Sequence, residues 1–433
     1  MKSLNFRIKN NREIVGIIGL GYVGLPLAIE FALNHVKVIG FDLNEDKINS
    51  LKSGKNYIKD INDSDFESAL DGEISFSSNM KLLKDCDVII ICVPTPLDKF
   101  KKPDMSFIES ACQTIATNMK RNVLISLEST TYPTTTEEFI LPIIQKKSKL
   151  IHNKDFYLAY SPERVDPGNK KFNTKNTPKV LGALSVEGLK IAKLIYSKAI
   201  NKIHTVSSPR VAEMVKILEN TYRLVNISLI NELALLCGKM DIDIHEVIDA
   251  ASTKPFGFHP FYPSPGIGGH CIPLDPFYLN YIAKKYDFDL TMIDTAGHIN
   301  MRMPYYMLNK ISGLLNNNNK SIKNSKILFL GVSYKKDIAD SRESPALKMI
   351  ELCISKGANI IYHDPYVDKI KLSNNIILKS SNFNDKIFKE SDCVVISTDH
   401  SVFDRESIKN KSSLIVDLRN FIKSKRSSRI EKI

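Results

Sequence analysis

The 433-residue sequence is short of several things, and each shortage narrows what it encodes. Its longest apolar run, "VIIICV" from Val88 to Val93, falls far below the roughly 20 residues of a membrane-crossing helix. The opening "MKSLNFRIKNNREIV" has basic residues but no apolar signal-peptide core, so a cytoplasmic protein without a membrane partner is expected. The seven cysteines are odd in number, scattered, and never spaced C-x-x-C. That speaks against a disulfide framework and against a zinc site, and no metal is expected. Cys86, Cys92, Cys112, Cys237, Cys353 and Cys393 lie in or beside apolar runs and read as small core residues. The formal charge is +12, yet no stripe of Lys and Arg interleaved with aromatics appears, so no nucleic-acid partner is expected. The densest basic patch, Lys423 to Arg429, reads as a solvated terminus.

What is present is a 43% hydrophobic, 25% charged chain with the rhythm of an α/β protein. "REIVGIIGLGYVGLPLAIEFALNHVKVIGFDLN" reads as strand, Gly-rich turn, helix and strand, and short apolar strands recur around Ile90, Ile125, Leu158 and Leu181. From Ala212 to Met240 a single long helix follows. Met214, Leu218, Tyr222, Val225, Leu229, Leu233 and Leu236 are spaced 4, 4, 3, 4, 4 and 3, one continuous apolar face and a plausible dimer surface. The Asn-rich stretch Asn316 to Lys326 reads as a linker, after which "KILFLGVSYKKD" begins a second α/β unit. The fold class is therefore α/β: two Rossmann-like, doubly wound parallel-sheet domains joined by a long central helix and a small helical domain.

Gly19, Gly21 and Gly24 form G-x-G-x-x-G between a strand and a helix, and Asp42 stands 18 positions after the last of them, at the end of the next strand. In that context the three glycines permit a tight turn, close approach of a pyrophosphate, and close helix–strand packing. Asp42 would take a ribose hydroxyl and repel a 2′-phosphate, so NAD is the expected cofactor. The second unit keeps only Gly331 of such a fingerprint, with Tyr334 and Lys335 in the turn. It is either a purely structural lid or a site for a different nucleotide. Glu213, Lys216, Asn220 and Arg223 form a polar stripe on the long helix, open to reading as a solvated face or as a working one. Thr130, Glu163 and Arg164 sit at strand ends, where ligands bind in such sheets; taken singly, such residues are more often turn formers. "PSPGIGGHCIPLDP", Pro263 to Pro276, presents Cys271 on flexible backbone with free N–H groups. Alone, it suits a nucleophile and a simple loop thiol equally.

Together these pieces resemble the UDP-glucose/GDP-mannose dehydrogenase family: "GLGYVGLP", "CVPTP", "ESTT", "SPERV", "AEMVKILENTYR", "GIGGHCIPLDP" and "GVSYKKDIADSRESPA" occur in the family's order over nearly the whole chain. The resemblance implies an NAD-binding Rossmann domain over 1–207, a helical dimerisation domain with the Cys loop over 208–312, and a UDP-binding Rossmann-like domain over 313–433. It implies oxidation of a sugar 6-hydroxymethyl to a carboxylate with two NAD+, through a thiohemiacetal and a thioester on Cys271. By the family pattern Lys216 and Asn220 line the oxyanion site, Glu163 is the acid/base for thioester hydrolysis, and Thr130 and Asp275 support them. Glu163, Arg164, Val165, Lys216, Asn220, Arg223, Gly268, Tyr334 and Lys335 match substrate-contact positions. Gly19, Gly21, Tyr22, Val23, Gly24, Asp42, Lys47, Thr95, Thr130 and Arg342 match NAD contacts. His270 matches no family role and reads as a loop residue.

Within the family the loop is most similar to bacterial UDP-N-acetylglucosamine 6-dehydrogenases of polysaccharide synthesis, where capsule or O-antigen is made. UDP-glucose enzymes carry a Lys where Leu274 precedes Asp275 here, and UDP-N-acetylmannosamine enzymes differ around Lys254 to Phe258. Ser264 replaces an expected Gly. The partners implied are a UDP-sugar and a second copy of the chain. The alternatives are a UDP-glucose or UDP-N-acetylmannosamine 6-dehydrogenase, a two-electron hydroxy-acid dehydrogenase, and a non-catalytic nucleotide-sugar sensor.

Overall fold

The computed structural model describes residues 4–433 apart from 59–60, 99–101, 167, 170 and 270; His270 thus lies outside the described residues. The chain forms two compact units, residues 1–219 with 277–288 and residues 220–276 with 289–433.

The first unit holds eight strands: β1 (Ile14–Ile18), β2 (Lys37–Phe41), β3 (Ile74–Ser77), β4 (Val88–Ile91), β5 (Val123–Leu127), β6 (Phe156–Tyr160), β7 (Lys179–Ala183) and β8 (Ile203–Thr205). They lie in the order β3-β2-β1-β4-β5-β6-β7-β8. The first six reproduce the 3-2-1-4-5-6 order of a doubly wound nucleotide-binding sheet. β4 and β5 are buried at every position, which is why "VIII" and "VLISL" run apolar without alternation. Successive residues still point to opposite faces: Ile89 and Ile91 join one core with Ile108 and Leu158, while Val88 and Ile90 join another with Leu27 and Phe31. Two strands depart from the parallel reading. β7 runs antiparallel to β6, Tyr160 facing Gly182, and β8, parallel to β7, is reversed with it. Strand direction depends on a remote partner, so the local sequence carries no sign of it.

The second unit holds β9 (Lys326–Leu330), β10 (Asn359–His363), the hairpin β11 (Lys369–Lys371) and β12 (Ile377–Lys379), then β13 (Cys393–Ile396), β14 (Ile415–Asp417) and β15 (Ile430–Lys432). Its main sheet is parallel, in the order β10-β9-β13-β14-β15. A helix over Thr291–Asn317 supplies Met303, Met307 and Ile311 to the core on one face of that sheet. In the linker, Asn319 and Asn324 adopt left-handed backbone, the conformation Asn tolerates best after Gly.

The long helix spans Pro209–Lys239, 31 residues, or roughly 46 Å at 1.5 Å per residue. Proline suits its first position, where no intrahelical N–H bond is lost. Its buried face mixes apolar residues, Ile217, Leu224 and Ile230 among them, with polar ones. Glu213, Lys216, Asn220, Ser228 and Asn231 are buried. Leu218, Tyr222, Leu229 and Leu236 are 60%, 50%, 50% and 51% exposed. A solvated polar stripe therefore holds only at Arg223; its other three members face inward. Five of the six cysteines read as core are buried, and Cys237 is half-buried.

Candidate active site

In the first unit the sequence-predicted residues gather beyond the carboxyl ends of the strands. Gly19 follows β1 with φ +94°, and a Cβ there would lie 2.7 Å from the Cys92 carbonyl oxygen. A Cβ on Gly24 would fall 1.9 Å from the Gly19 carbonyl oxygen, so the turn and the helix Gly24–Leu33 can meet only because Gly24 has none. A Cβ on Gly21 would meet nothing within 4 Å. Its missing side chain leaves open space over the backbone where a diphosphate could approach. Tyr22 is 48% exposed beside it, and Val23 is half-buried against the core. Asp42 is fixed after β2 by the N–H groups of Leu20 (3.1 Å) and Asn44 (3.0 Å), with Lys47 Nζ 3.5 Å from its Oδ2. These residues fit a dinucleotide on the structure's own terms: an open glycine cradle at a helix start and an acidic group at the neighbouring strand end.

The ends of β4 and β5 are tied together. Thr95 Oγ1 donates to the Thr130 carbonyl at 2.6 Å, and the Tyr278 hydroxyl donates to the Thr95 carbonyl. The segment after Thr130 is held by Glu213, which the sequence offered only as part of a stripe. Its carboxylate accepts the N–H of Thr134 (2.7 Å), the N–H of Thr136 (2.9 Å) and the Thr136 hydroxyl (2.7 Å). Burial pushes the Glu213 carboxyl up to about 7, against the pull of those Thr136 and Thr134 donors. After β6, Glu163 Oε1 accepts the N–H groups of Arg164 (2.6 Å) and Val165 (2.7 Å). Arg164 pairs with Glu219 at 2.5 Å and donates to the Pro178 carbonyl at 2.6 Å.

In the second unit the Cys loop is built from below. Ser264 N–H donates to Asn231 Oδ1 at 2.8 Å, and Asn231 Nδ2 donates to Asn300 Oδ1 at 2.9 Å, so a buried amide pair roots the loop on two helices. Ser264 Oγ donates to the Gly266 carbonyl at 2.9 Å. The serine at the position where a Gly was expected thus adds a bond inside the loop. Gly266 (φ +133°) and Gly269 (φ +76°) take backbone conformations that side chains disfavour. A Cβ on Gly268 would lie 2.5 Å from Tyr334 Cβ, and Gly269 N–H donates to the Arg342 carbonyl at 3.1 Å. The glycines are there because the loop lies directly on the turn that carries Tyr334, Lys335 and Arg342. Cys271 is half-buried, and its carbonyl accepts the Asp275 N–H at 2.8 Å as the helix Asp275–Ala283 begins. Asn220 Nδ2 donates to Asp275 Oδ2 at 2.5 Å, both side chains being buried. Cys271, Asp275 and Asn220 are thereby brought to one place.

The turn after β9 differs chemically from the turn after β1. Asp364 ends β10 as Asp42 ends β2, yet its Oδ2 accepts the N–H groups of Val332 (2.7 Å) and Ser333 (3.1 Å) and lies 3.1 Å from His400 Nε2. His400 Nδ1 accepts the Asp337 N–H at 3.0 Å, which puts the ring proton on Nε2. Asp364 and His400 shape the Tyr334–Lys335 turn, and Asp364 Oδ2 is engaged there by two N–H groups and the imidazole. Arg342 makes bonds of 2.6–3.0 Å with Asp340.

Three family models match the chain: the NAD binding domain of the UDP-glucose/GDP-mannose dehydrogenase family over residues 13–200, its central domain over 210–302, and its UDP binding domain over 328–424. The chain belongs to the UDP-glucose/GDP-mannose dehydrogenase family. As a member it is an NAD-dependent oxidoreductase, and the open cradle at Gly21 lies in its NAD-binding domain. The family's UDP-binding domain coincides with the sheet of the second unit, whose turn lacks the dinucleotide fingerprint. The chain is 37% identical over 360 residues to Protein CapL of Staphylococcus aureus, covering 83% of each chain. It is 34% identical over 354 residues to the UDP-N-acetyl-D-glucosamine 6-dehydrogenase of Pseudomonas aeruginosa, covering 82% of this chain and 83% of that one. The solved UDP-D-ManNAc dehydrogenase of Pyrococcus horikoshii superposes with a TM-score of 0.88 at 33% identity, over 97% of this chain and 99% of that one. Among the described residues no helix is long and apolar enough to cross a membrane.

Proposed function

We propose that this family member oxidises the C6 hydroxymethyl of a cytoplasmic UDP-sugar to a carboxylate, in two steps at one Cys, with UDP-N-acetylglucosamine as substrate. The observation that carries the reading is the Cys271 loop, rooted by Ser264 and Asn231 and flanked by the buried Asn220–Asp275 bond. NAD+ bound at the Gly21 cradle supplies the hydride acceptor, twice per sugar. Cys271 adds as thiolate to the C6 aldehyde, giving a thiohemiacetal that keeps the aldehyde from escaping. After the second oxidation the sugar is a thioester on Cys271. Lys216 and Asn220, four residues apart on the long helix, stabilise the oxyanion of each tetrahedral stage. Asp275 holds the Asn220 amide by its Nδ2. Glu163 takes the proton of the water that releases the acid, and Thr130 supports it. Arg164, Val165, Arg223, Gly268, Tyr334 and Lys335 hold the nucleotide sugar; Tyr22, Val23, Asp42, Lys47, Thr95, Thr130 and Arg342 hold NAD. The domain limits follow as 1–207, 208–312 and 313–433.

A second substrate has support of its own. The relatives named for N-acetylglucosamine and for N-acetylmannosamine are nearly equal in identity, 34% and 33%. Turnover on UDP-N-acetylglucosamine, UDP-N-acetylmannosamine, UDP-N-acetylgalactosamine and UDP-glucose, side by side, tests the choice. The highest kcat/KM is expected with UDP-N-acetylglucosamine; preference for another sugar overturns that part of the reading.

The exposed apolar stripe of the long helix is the proposed contact with a second copy of the chain, since unpartnered apolar surface of this extent marks an interface. Sedimentation should give a dimer for the wild type and a monomer for Leu229→Glu/Leu236→Glu. A monomeric wild type at micromolar concentration would refute the proposal.

A further inference from the structure

The reversed strand β7 has a chemical consequence. Because it runs against β6, its first residue, Lys179, stands at the carboxyl edge of the sheet, where the parallel neighbours present their last residues. The Lys179 side chain is only 5% exposed. Its Nζ lies 2.8 Å from Glu128 Oε2, just past β5, and 3.8 Å from Glu163 Oε2, just past β6. Among the described residues, Cys92, past β4, and Tyr196, whose ring lies 5.5 Å from Nζ, also stand near it. The Tyr196 hydroxyl donates to Ser126 Oγ at 2.9 Å. Burial alone would favour a neutral Lys179, but Glu128 and Glu163 outweigh it and hold the ammonium charged. Two carboxylates thus share one buried cation.

The geometry divides the labour between the two Glu163 oxygens. Oε1 is tied to the N–H groups of Arg164 and Val165. Oε2 is the oxygen that faces Lys179. We propose that Lys179 is a positioning residue that orients the Glu163 carboxylate for water activation, and that Glu128 sets how strongly by competing for the same cation. This rests on Glu163 being the base of the hydrolysis step. Lys179 touches no reacting atom; it acts through Glu163.

Competition makes a prediction with two signs. Removing the Glu128 charge leaves Lys179 to Glu163 alone and favours the ionised base. Removing both charges leaves Glu163 with neither. The measurement is the pH dependence of acid release after the NADH burst, on the full-length enzyme with UDP-N-acetylglucosamine and NAD+. Glu128→Gln should move the acid limb to lower pH. Glu128→Gln/Lys179→Met should move it to higher pH, each by about one unit, as expected for a charge within 4–6 Å. The double variant removes the buried ammonium together with its partner at 2.8 Å, so it is the one expected to fold without difficulty. Lys179→Arg should restore the wild-type limb. A purely structural role would lower the melting temperature and the rate with the limb unmoved, and that result overturns the proposal. Glu163→Gln separates the two readings. If it releases acid at the wild-type rate, Glu163 is not the base. If it stalls as a thioester while the Glu128 and Lys179 variants share the wild-type limb, the Lys179 proposal alone fails.

Discussion

Cys271→Ala should lose acid formation on the order of a thousandfold or more, as removal of a covalent nucleophile typically does, while NAD+ binding is unchanged. The residues that would hold NAD, Arg342 apart, lie in the first unit, whereas Cys271 lies in the second. Alanine is tolerated by the loop: Cys271 is half-buried, and its backbone carbonyl, which anchors Asp275 at 2.8 Å, is untouched. A folded protein that binds NAD+ and UDP-sugar and makes no acid is therefore expected. Cys271→Ser should also fail to turn over, because a serine hydroxyl is far less ionised than a thiol and its ester is a poorer acyl donor. Acid formation by the alanine variant at the wild-type rate would remove the covalent mechanism. Titration calorimetry with NAD+ and a single-wavelength NADH assay together decide the point.

The second large effect separates two glycines of one motif. Gly24→Ala places a methyl 1.9 Å from the Gly19 carbonyl oxygen and 3.1 Å from Cys92 Cβ. Neither neighbour is a flexible side-chain tip, so the backbone must move. Overpacking of this kind costs about 1–3 kcal/mol, and the displaced turn should weaken NAD+ binding by more than about tenfold. Gly21→Ala meets no protein atom within 4 Å. It should melt at the wild-type temperature and yet bind NAD+ poorly, since its methyl occupies the space a pyrophosphate needs. UDP binding should survive in both variants. Wild-type NAD+ affinity in Gly21→Ala would show that the open space is not the cofactor cradle.

The glycine turn and Asp42 were legible because a nucleotide-binding turn is local: three spacings and one strand length place every group. The Cys loop was legible for a similar reason, its glycines marking a close approach that proved to be with Tyr334. What stayed hidden depends on partners remote in sequence. The period of the long helix shows which residues share a face, but not what the face meets. Glu213 and Asn220 face inward beside Ile217 and Leu224, while Leu218 and Leu229 face outward, so polarity alone does not tell the faces apart. Nothing around Lys179 announces that β7 runs backwards, so a buried Lys at the site's edge could not be foreseen. Asp364 looks like Asp42 in sequence, and only its bonds to Val332, Ser333 and His400 separate the two.

The central claim is a four-electron oxidation completed on one enzyme, and counting NADH against UDP-sugar consumed tests it most directly. Two NADH per sugar, with carboxylate as the only product and no aldehyde captured by a carbonyl trap, is the predicted result. One NADH per sugar, with aldehyde or ketone released to the trap, would contradict it.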